Sequence, residues 1–159
     1  MRARYFFASL SLVLFDQALR ADFAAGMRAY EQRDYATAVK EWRPLAEAGD
    51  APTQFNLGLM YLDGVGVPQS SEHAIEWFRR AADQGYAKAQ YNLGSLYAVG
   101  RGVRKDLITA HMWMNLCAAS GDAKCSTQRD LLGGRMKARD VATAQRRAAD
   151  WKTVTHAPK

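Results

Sequence analysis

Apolar positions recur at steps of three and four residues along most of the chain, and glycine-rich breaks separate them. This spacing predicts amphipathic helices, because the apolar positions of a strand would alternate. In residues 49–84, a first helix stops at 63–68, where two glycines can take positive φ and a proline cannot continue a helix. A second helix follows, with Ser70 as a suitable N-cap, and it ends before Gly85. The segment therefore predicts a helical hairpin with a long inner loop.

The same pattern recurs in residues 85–120. At an offset of 36 residues, 13 of the 36 aligned positions are identical, against roughly two or three expected from ordinary residue usage. Self-similarity at this period is typical of stacked helical repeats. Gly58 and Gly94 are identical positions inside the first helices, where glycine costs about 1 kcal/mol relative to alanine. We expect a neighbouring helix to approach closely there. The predicted fold class is all-α, a solenoid of antiparallel helix hairpins with two full repeats.

The repeated residues also resemble a known family. Each repeat follows the pattern AxxQxNLGxxYxxGxGV, and AxxWxxxAAxxG then describes its second helix. These patterns are similar to the Sel-one-like repeat (SLR) family, a relative of the tetratricopeptide repeat. The resemblance is close over residues 49–121 and weaker over 23–48 and 123–152. It implies a right-handed α-solenoid that binds other proteins or peptides and is usually not catalytic.

The segments on either side of the two repeats predict different structures. Residues 1–21 have a basic start, an apolar run of 11 residues and small residues after it, as in a secretory signal peptide. That run is shorter than the ~20 residues that span a bilayer, so no stable membrane span is predicted. Residues 22–48 predict a tetratricopeptide-like hairpin with a bend near Pro44. Residues 121–159 predict a degenerate third repeat and a basic C-terminal cap.

The N-terminal pattern bears on where the protein acts. A signal peptide predicts that the protein is periplasmic in a bacterium or secreted. The alternative is a cytosolic scaffold in which the same segment is a capping helix. An uncleaved N-terminus and free thiols would favour this alternative.

The first helix of each repeat supplies the predicted binding residues. The family resemblance implies that these helices line the inner surface of the superhelix. Asn56 and Asn92 occupy the repeat position that hydrogen-bonds peptides in related tetratricopeptide domains, and an amide offers a donor and an acceptor to a peptide backbone. A competing interpretation makes the asparagines links between adjacent helices and makes Phe55 and Tyr91 core residues. The predicted peptide-binding residues are Phe55, Asn56, Leu59, Lys88, Tyr91, Asn92 and Ser95.

The chain has two cysteines, Cys117 and Cys125. They stand at the end of one predicted second helix and at the start of the next first helix. A cysteine-rich subgroup of SLR proteins bridges this same pair at the same spacing. The even count and the export signal also favour a disulfide. In a cytosolic protein, two small buried thiols would be the better interpretation.

Few residues point to catalysis. His73, His111 and His156 do not stand at metal-ligand spacing, so no metal site and no cofactor are predicted. His73 and His111 are interpreted as surface or rim residues. Some cysteine-rich SLR proteins have been linked to penicillin binding and weak β-lactamase activity, and other SLR proteins to envelope-polysaccharide export. These two functions are the alternatives to an interaction module, although the chain lacks the S-x-x-K motif of penicillin-recognising enzymes.

The charge of the chain is concentrated at one end. The net charge is +6, and residues 121–159 contain 9 basic and 4 acidic residues. A basic patch can bind nucleic acid or an anionic surface. Since an exported protein rarely meets nucleic acid, the predicted partner is a protein or peptide and not a nucleic acid. So short an array also fits a transient partner or weak self-association.

Overall fold

The computed structural model describes residues 23–151, and the regular elements of that part are all helices. The first helix, α1, covers residues 23–31. The other helices are α2 (Tyr35–Glu47), α3 (Ala51–Asp63), α4 (Ser71–Asp83), α5 (Ala87–Val99), α6 (Leu107–Ala118), α7 (Ala123–Gly133) and α8 (Ala138–Ala149). Hairpin contacts join α3 with α4 and α5 with α6, and stacking contacts join α2 with α3, α4 with α5 and α6 with α7. The arrangement is an α-solenoid of helical hairpins.

The ends of the repeat helices follow from their capping residues. The Oγ of Ser70 accepts the N–H of His73 at 3.2 Å and so begins α4, as predicted. Asp106 caps α6 in the same way through two backbone N–H groups of its first turn. Gly64 and Gly100 end α3 and α5 with φ of 71° and 78°. Glycine takes this left-handed conformation at little cost, which confirms the predicted stop.

The two glycines inside α3 and α5 allow their partner helices to approach closely, as expected. A Cβ atom on Gly58 would lie 2.5 Å from Cε1 of Phe78 on α4. On Gly94 it would lie 2.8 Å from Cε of Met114 on α6. The contacts made in these gaps offset the low helix propensity of glycine. Trp42, Trp77 and Trp113 belong to the core, with exposures of 2%, 7% and 0%.

The N-terminal hairpin is shorter than the repeats and has a tight turn. Arg33 takes a positive φ of 63° in this turn, and Asp34 begins α2 by accepting the N–H of Thr37 at 3.2 Å. Pro44 lies inside α2, which continues to Glu47. The predicted signal peptide at residues 1–21 lies outside the described residues, as does His156. None of the helices between residues 23 and 151 has the length and apolarity that crossing a bilayer requires.

The C-terminal segment departs from the repeat pattern. Asp130 on α7 stands where Gly58 and Gly94 stand in the two repeats. The next helix, α8, packs against α6. Its Ala144 is fully buried, and the ring centroids of Trp113 and Trp151 lie 4.8 Å apart. The last helix therefore covers the end of the core while its charged residues face water.

Candidate peptide-binding site

Each repeat is attached to the preceding hairpin through a buried glutamine. Nε2 of Gln54 donates to the carbonyl oxygen of Ala46 at 2.8 Å, and Nε2 of Gln90 donates to that of Ala82 at 3.2 Å. The exposures of the two glutamines are 3% and 4%. Oε1 of Gln54 also accepts from Nε2 of Gln84 at 2.8 Å. These amides are therefore used inside the molecule, to hold α3 on α2 and α5 on α4.

An arginine–tyrosine hydrogen bond accompanies each of these contacts. Nη2 of Arg43 donates to Oη of Tyr61 at 3.0 Å, and Nη2 of Arg79 donates to Oη of Tyr97. The guanidinium carbon of Arg79 also lies 6.0 Å from the ring centroid of Trp113, within cation–π range. The same pair of contacts, a glutamine–carbonyl and an arginine–tyrosine hydrogen bond, thus recurs one repeat apart.

The asparagines two positions after the glutamines are not used in this way. Asn56 and Asn92 are half-buried, and neither side chain makes a hydrogen bond within the described part of the chain. The residues that link adjacent helices are the glutamines, which sequence reasoning did not single out. Their identity in both repeats, on the buried face of each first helix, was the available signal.

The apolar residues beside the asparagines contribute to packing but remain partly accessible. The ring centroid of Phe55 lies 5.7 Å from that of Phe78 and 5.4 Å from that of Tyr86. Leu59 packs against the same central core, whereas Tyr91 packs against the smaller cluster that includes Met114. Phe55, Leu59 and Tyr91 are all half-buried. They therefore combine a packing role with an apolar surface that a ligand can reach.

The two remaining predicted residues differ in how far they are engaged. The Oγ of Ser95 donates to the carbonyl oxygen of Tyr91 at 3.0 Å, one helical turn earlier. Lys88 is exposed, and no ion pair or hydrogen bond involves its side chain between residues 23 and 151. The structure thus places all seven predicted residues on α3 and α5, with the two asparagines at equivalent points.

Comparison with known families identifies the central hairpins. The model of the Sel1 repeat, the repeat of SLR proteins, matches residues 51–86 and 87–122. The matches are contiguous and keep the period of 36 residues, starting two residues later than the alignment of the sequence with itself. The central hairpins are Sel1 repeats. Proteins with Sel1 repeats are generally helical-repeat modules for protein interaction, and the fold generally serves as a non-catalytic scaffold.

Solved structures with Sel1 repeats share the fold of this chain. One is a protective antigen present in uropathogenic Escherichia coli strains that displays an SLR fold. Its TM-score is 0.77 at 28% identity, over 84% of this chain and 29% of that one. A Sel1 repeat protein from Oxalobacter formigenes has a TM-score of 0.67 at 28% identity, over 82% and 56%. The chain thus spans less than two thirds of either relative. No curated protein matches it.

The two cysteines lie where the second Sel1 repeat meets α7. Their sulfur atoms are at disulfide-bond distance, and their Cα atoms are 5.7 Å apart. Both residues are 1% exposed. Cys117 takes the repeat position of Ala81, and Cys125 takes that of Ala89. The structure therefore brings together the pair that the sequence and the family resemblance indicated.

The interpretation of His111 as a surface or rim residue is wrong. Its side chain is 3% exposed, and its Nδ1 lies 2.8 Å from Nδ2 of Asn115. Burial lowers the pKa of His111 below its ordinary value of 6.5, and Arg129 lowers it further, although Asp130 opposes the shift. The imidazole is therefore neutral at pH 7, and Nδ1 accepts from the Asn115 amide.

Repeat alignment could have revealed this burial. His111 occupies the position of Ile75 in the first Sel1 repeat, which is 7% exposed and lies in the core. His73 stands at a different repeat position and is exposed, as predicted. Between residues 23 and 151 no three His, Cys, Asp or Glu side chains are grouped so as to hold a metal ion.

Proposed function

We propose that this chain is a non-catalytic adaptor that captures an extended segment of a partner protein on α3 and α5. The observation that carries this proposal is the contrast between two pairs of amides on the same helices. The side-chain amides of Gln54 and Gln90 donate hydrogen bonds to carbonyl groups of the preceding hairpin. Asn56 and Asn92 make no such bond within residues 23–151. They remain available to a ligand at two equivalent points of the array.

A peptide backbone suits the chemistry of these two side chains. Each amide carries a donor and an acceptor, which can pair with the C=O and N–H of the peptide backbone. Because Asn56 and Asn92 are half-buried, water competes less for these bonds than on an open surface. Two such points hold an extended chain in one register, as recognition through main-chain hydrogen bonds requires.

The neighbouring residues supply the rest of the contact. Phe55, Leu59 and Tyr91 offer accessible apolar surface for the side chains of the peptide, and Lys88 offers a charge at the edge. Each hydrogen bond contributes a net ~1 kcal/mol, far less than the ~8 kcal/mol that corresponds to a micromolar Kd, so the apolar contacts must supply most of the affinity. The partner is expected to bind transiently.

The test begins with peptides selected from a random phage-displayed library on the full chain. Their affinity is then measured for the double variant Asn56→Ala, Asn92→Ala. We expect at least a tenfold loss, on the order of two lost hydrogen bonds, with an unchanged circular dichroism spectrum. The matched control is Gln145→Ala, which removes an exposed amide from α8 and should leave binding unchanged. Equal binding by the double variant and the wild type would contradict the proposal.

We also propose that the adaptor acts outside the cytoplasm, in the periplasm or after secretion. The support is the signal-peptide pattern of residues 1–21 and a cysteine pair at bonding distance, since disulfides persist in oxidising compartments. The test is the intact mass of the protein from fractionated bacteria, with and without reductant. We expect loss of about the first 21 residues and a gain of about two daltons on reduction. A full-length, reduced chain in the cytosol would contradict this location.

A further inference from the structure

A basic cleft lies between the loop that precedes α6 and the connection from α7 to α8. Its volume is about 530 Å³. Four cationic side chains line it: Arg104 and Lys105 from the loop, and Arg135 and Lys137 from the connection. All four residues are exposed, and none has an ion pair or side-chain hydrogen bond within residues 23–151. Four like charges thus converge without an internal partner.

The two carboxylates that line the cleft are fewer than its four cations, and both have other partners. Asp106 is engaged as the N-cap of α6, where Oδ1 accepts the N–H groups of Ile108 and Thr109 at 2.9 and 3.1 Å. Oδ1 of Asp140 lies 3.5 Å from Nε of Arg139. The cleft therefore keeps an excess of positive charge.

The charge of the cleft is not a general property of the repeat. Arg104 and Lys105 stand at the repeat positions of Pro68 and Gln69, so the first repeat carries no cation there. The cationic residues thus occur in the loop that faces the C-terminal segment, where Arg135 and Lys137 lie opposite. Lys105→Gln therefore introduces the residue type that the first repeat has at the equivalent position, Gln69.

We propose that this cleft binds an acidic segment of a partner protein. Arginine and lysine form charge-assisted hydrogen bonds with carboxylates, and arginine can do so through two parallel bonds. Leu107, Ile108 and Met136 also line the cleft and provide apolar contact for side chains between the acidic residues. The matching ligand is therefore a peptide in which Asp or Glu alternates with apolar residues.

The composition of the lining favours a peptide over a nucleic acid. Proteins that bind single strands combine a basic groove with aromatic rings on which the bases stack. Within residues 23–151, the lining of this cleft contains no aromatic residue. Its cations also surround a compact space, whereas a nucleic acid backbone would need an extended track of charge.

This second surface is separate from the proposed site on α3 and α5. The cleft is built from α6, α8 and their preceding loops and shares no residue with the set around Asn56 and Asn92. A partner that engages both would gain affinity through the higher effective concentration of its second segment. An experiment can therefore reject one proposed site without rejecting the other.

The experiment follows the amide NMR signals of the full chain, labelled with ¹⁵N, during titration with short degenerate peptides. One mixture alternates Asp or Glu with Leu or Val, and the matched mixture has Asn or Gln at the acidic positions. We expect saturable shifts at residues 104–108 and 135–140 with the acidic mixture only. Raising the salt from about 50 to about 300 mM should weaken binding about tenfold, because screening acts on exposed charges.

Two double variants locate the binding. Lys105→Gln with Lys137→Gln should weaken it at least about tenfold, through the loss of two charge-assisted contacts. Arg28→Gln with Lys40→Gln removes the same charge from exposed positions of α1 and α2 and should leave the affinity unchanged. The double variant Asn56→Ala, Asn92→Ala should also retain binding, which separates this result from the test of the proposed function.

Several results would overturn the proposal. They are an absence of saturable shifts, shifts outside the cleft, and an equal loss of binding in both pairs of charge variants. Oligothymidylate and phosphatidylglycerol vesicles are titrated as competing probes. Preferential binding of either one at residues 104–108 and 135–140 would identify the cleft as a nucleic-acid or membrane contact and would also overturn it.

Discussion

The contacts between successive hairpins are built in two different ways. In the first joint, between α2 and α3, and the second, between α4 and α5, a buried glutamine donates to the preceding helix. An arginine–tyrosine hydrogen bond accompanies it in each case. In the third joint, between α6 and α7, the residues at those positions are different. The repeat is therefore conserved in its helices but not in the chemistry that attaches them.

The third joint lacks both polar contacts. Ser126 stands in place of the glutamine, and its Oγ donates to Asp122 of its own helix at 3.4 Å. Gly133 stands in place of the tyrosine and Asn115 in place of the arginine. The cysteine pair lies at this joint instead. A covalent link thus lies at the one joint of the three that lacks the glutamine and arginine–tyrosine hydrogen bonds.

The position of this link follows from the architecture. Each hairpin of a solenoid contacts only its neighbours, so each joint must be stabilised locally. The third joint also attaches α7, which carries Asp130 where the first helices of the repeats carry glycine. A disulfide at this point limits the separation of α7 from the array, whatever the strength of the surrounding packing.

Removing the cysteine pair should have the largest effect. The double variant Cys117→Ala, Cys125→Ala gives the third joint the alanines of the second, Ala81 and Ala89. Because the bridge closes a loop with a sequence separation of 8, the chain-entropy model predicts a loss of about 2.5 kcal/mol in the free energy of unfolding. Urea denaturation under oxidising conditions measures this loss.

Hydrogen exchange shows whether that effect is local. Amide protection in α7 should fall in the double variant, whereas protection in α3, which lies one repeat further from this joint, should change little, because a repeat is stabilised mainly by its immediate neighbours. A uniform loss of protection along the array would show that the joints are not independent. The wild-type protein in reductant provides the corresponding measurement without a substitution.

The glutamine of the second joint should come next in size. Gln90→Ala removes a buried amide that donates to Ala82, at a cost of about 1.5 kcal/mol. Ser126→Ala is the matched change in the third joint and should alter the free energy of unfolding by less than about 0.5 kcal/mol, because it affects no contact between hairpins. Equal effects of the two substitutions in chemical denaturation would remove the distinction between the joints.

The tyrosine of the second joint should have a smaller effect. Tyr97→Phe removes only the hydroxyl that accepts from Arg79 and should cost about 0.5–1 kcal/mol. Tyr91→Phe on the same helix removes a hydroxyl that has no hydrogen bond within the described residues, and it should be close to neutral. A larger loss in Tyr91→Phe than in Tyr97→Phe, measured by thermal unfolding, would contradict this assignment.

The comparison of joints also shows what the sequence could reveal. Repeat period, helix caps and the close approach at Gly58 and Gly94 follow from local patterns and were predicted correctly. The hydrogen bonds of Gln54 and Gln90 were not predicted, because each partner is a backbone carbonyl of another hairpin. A carbonyl group has no signature in the sequence.

The basic cleft could not be predicted from the sequence, for a related reason. Lys105 and Lys137 are 32 positions apart, and only the packing of α8 against α6 brings their segments together. The sequence indicated that the C-terminal end was basic but not that its cations converge with those of a repeat loop. His111 was misinterpreted because its residue type was weighed more than its repeat position, which it shares with the buried Ile75.

His111, which lies at the third joint, should make the free energy of unfolding depend on pH. At pH 7 this contribution should be smaller than the effects of the other substitutions. Its pKa is lowered in the folded state by burial and by Arg129, with Asp130 opposing. Well above pH 6.5 the histidine is neutral in both states and does not change the free energy of unfolding. As the pH falls below 6.5, the unfolded chain takes up the proton first, so the free energy of unfolding decreases until the pH reaches the lowered pKa.

His111→Ile tests this, because it places the residue of the first repeat at this position. Between pH 7.5 and pH 5, wild-type stability should fall more steeply than that of the variant. The difference should arise in this range because carboxyl groups with lowered pKa values, such as Asp106, titrate below about pH 4. If His111→Ile keeps the wild-type slope, the pH dependence does not arise from the buried imidazole at the third joint.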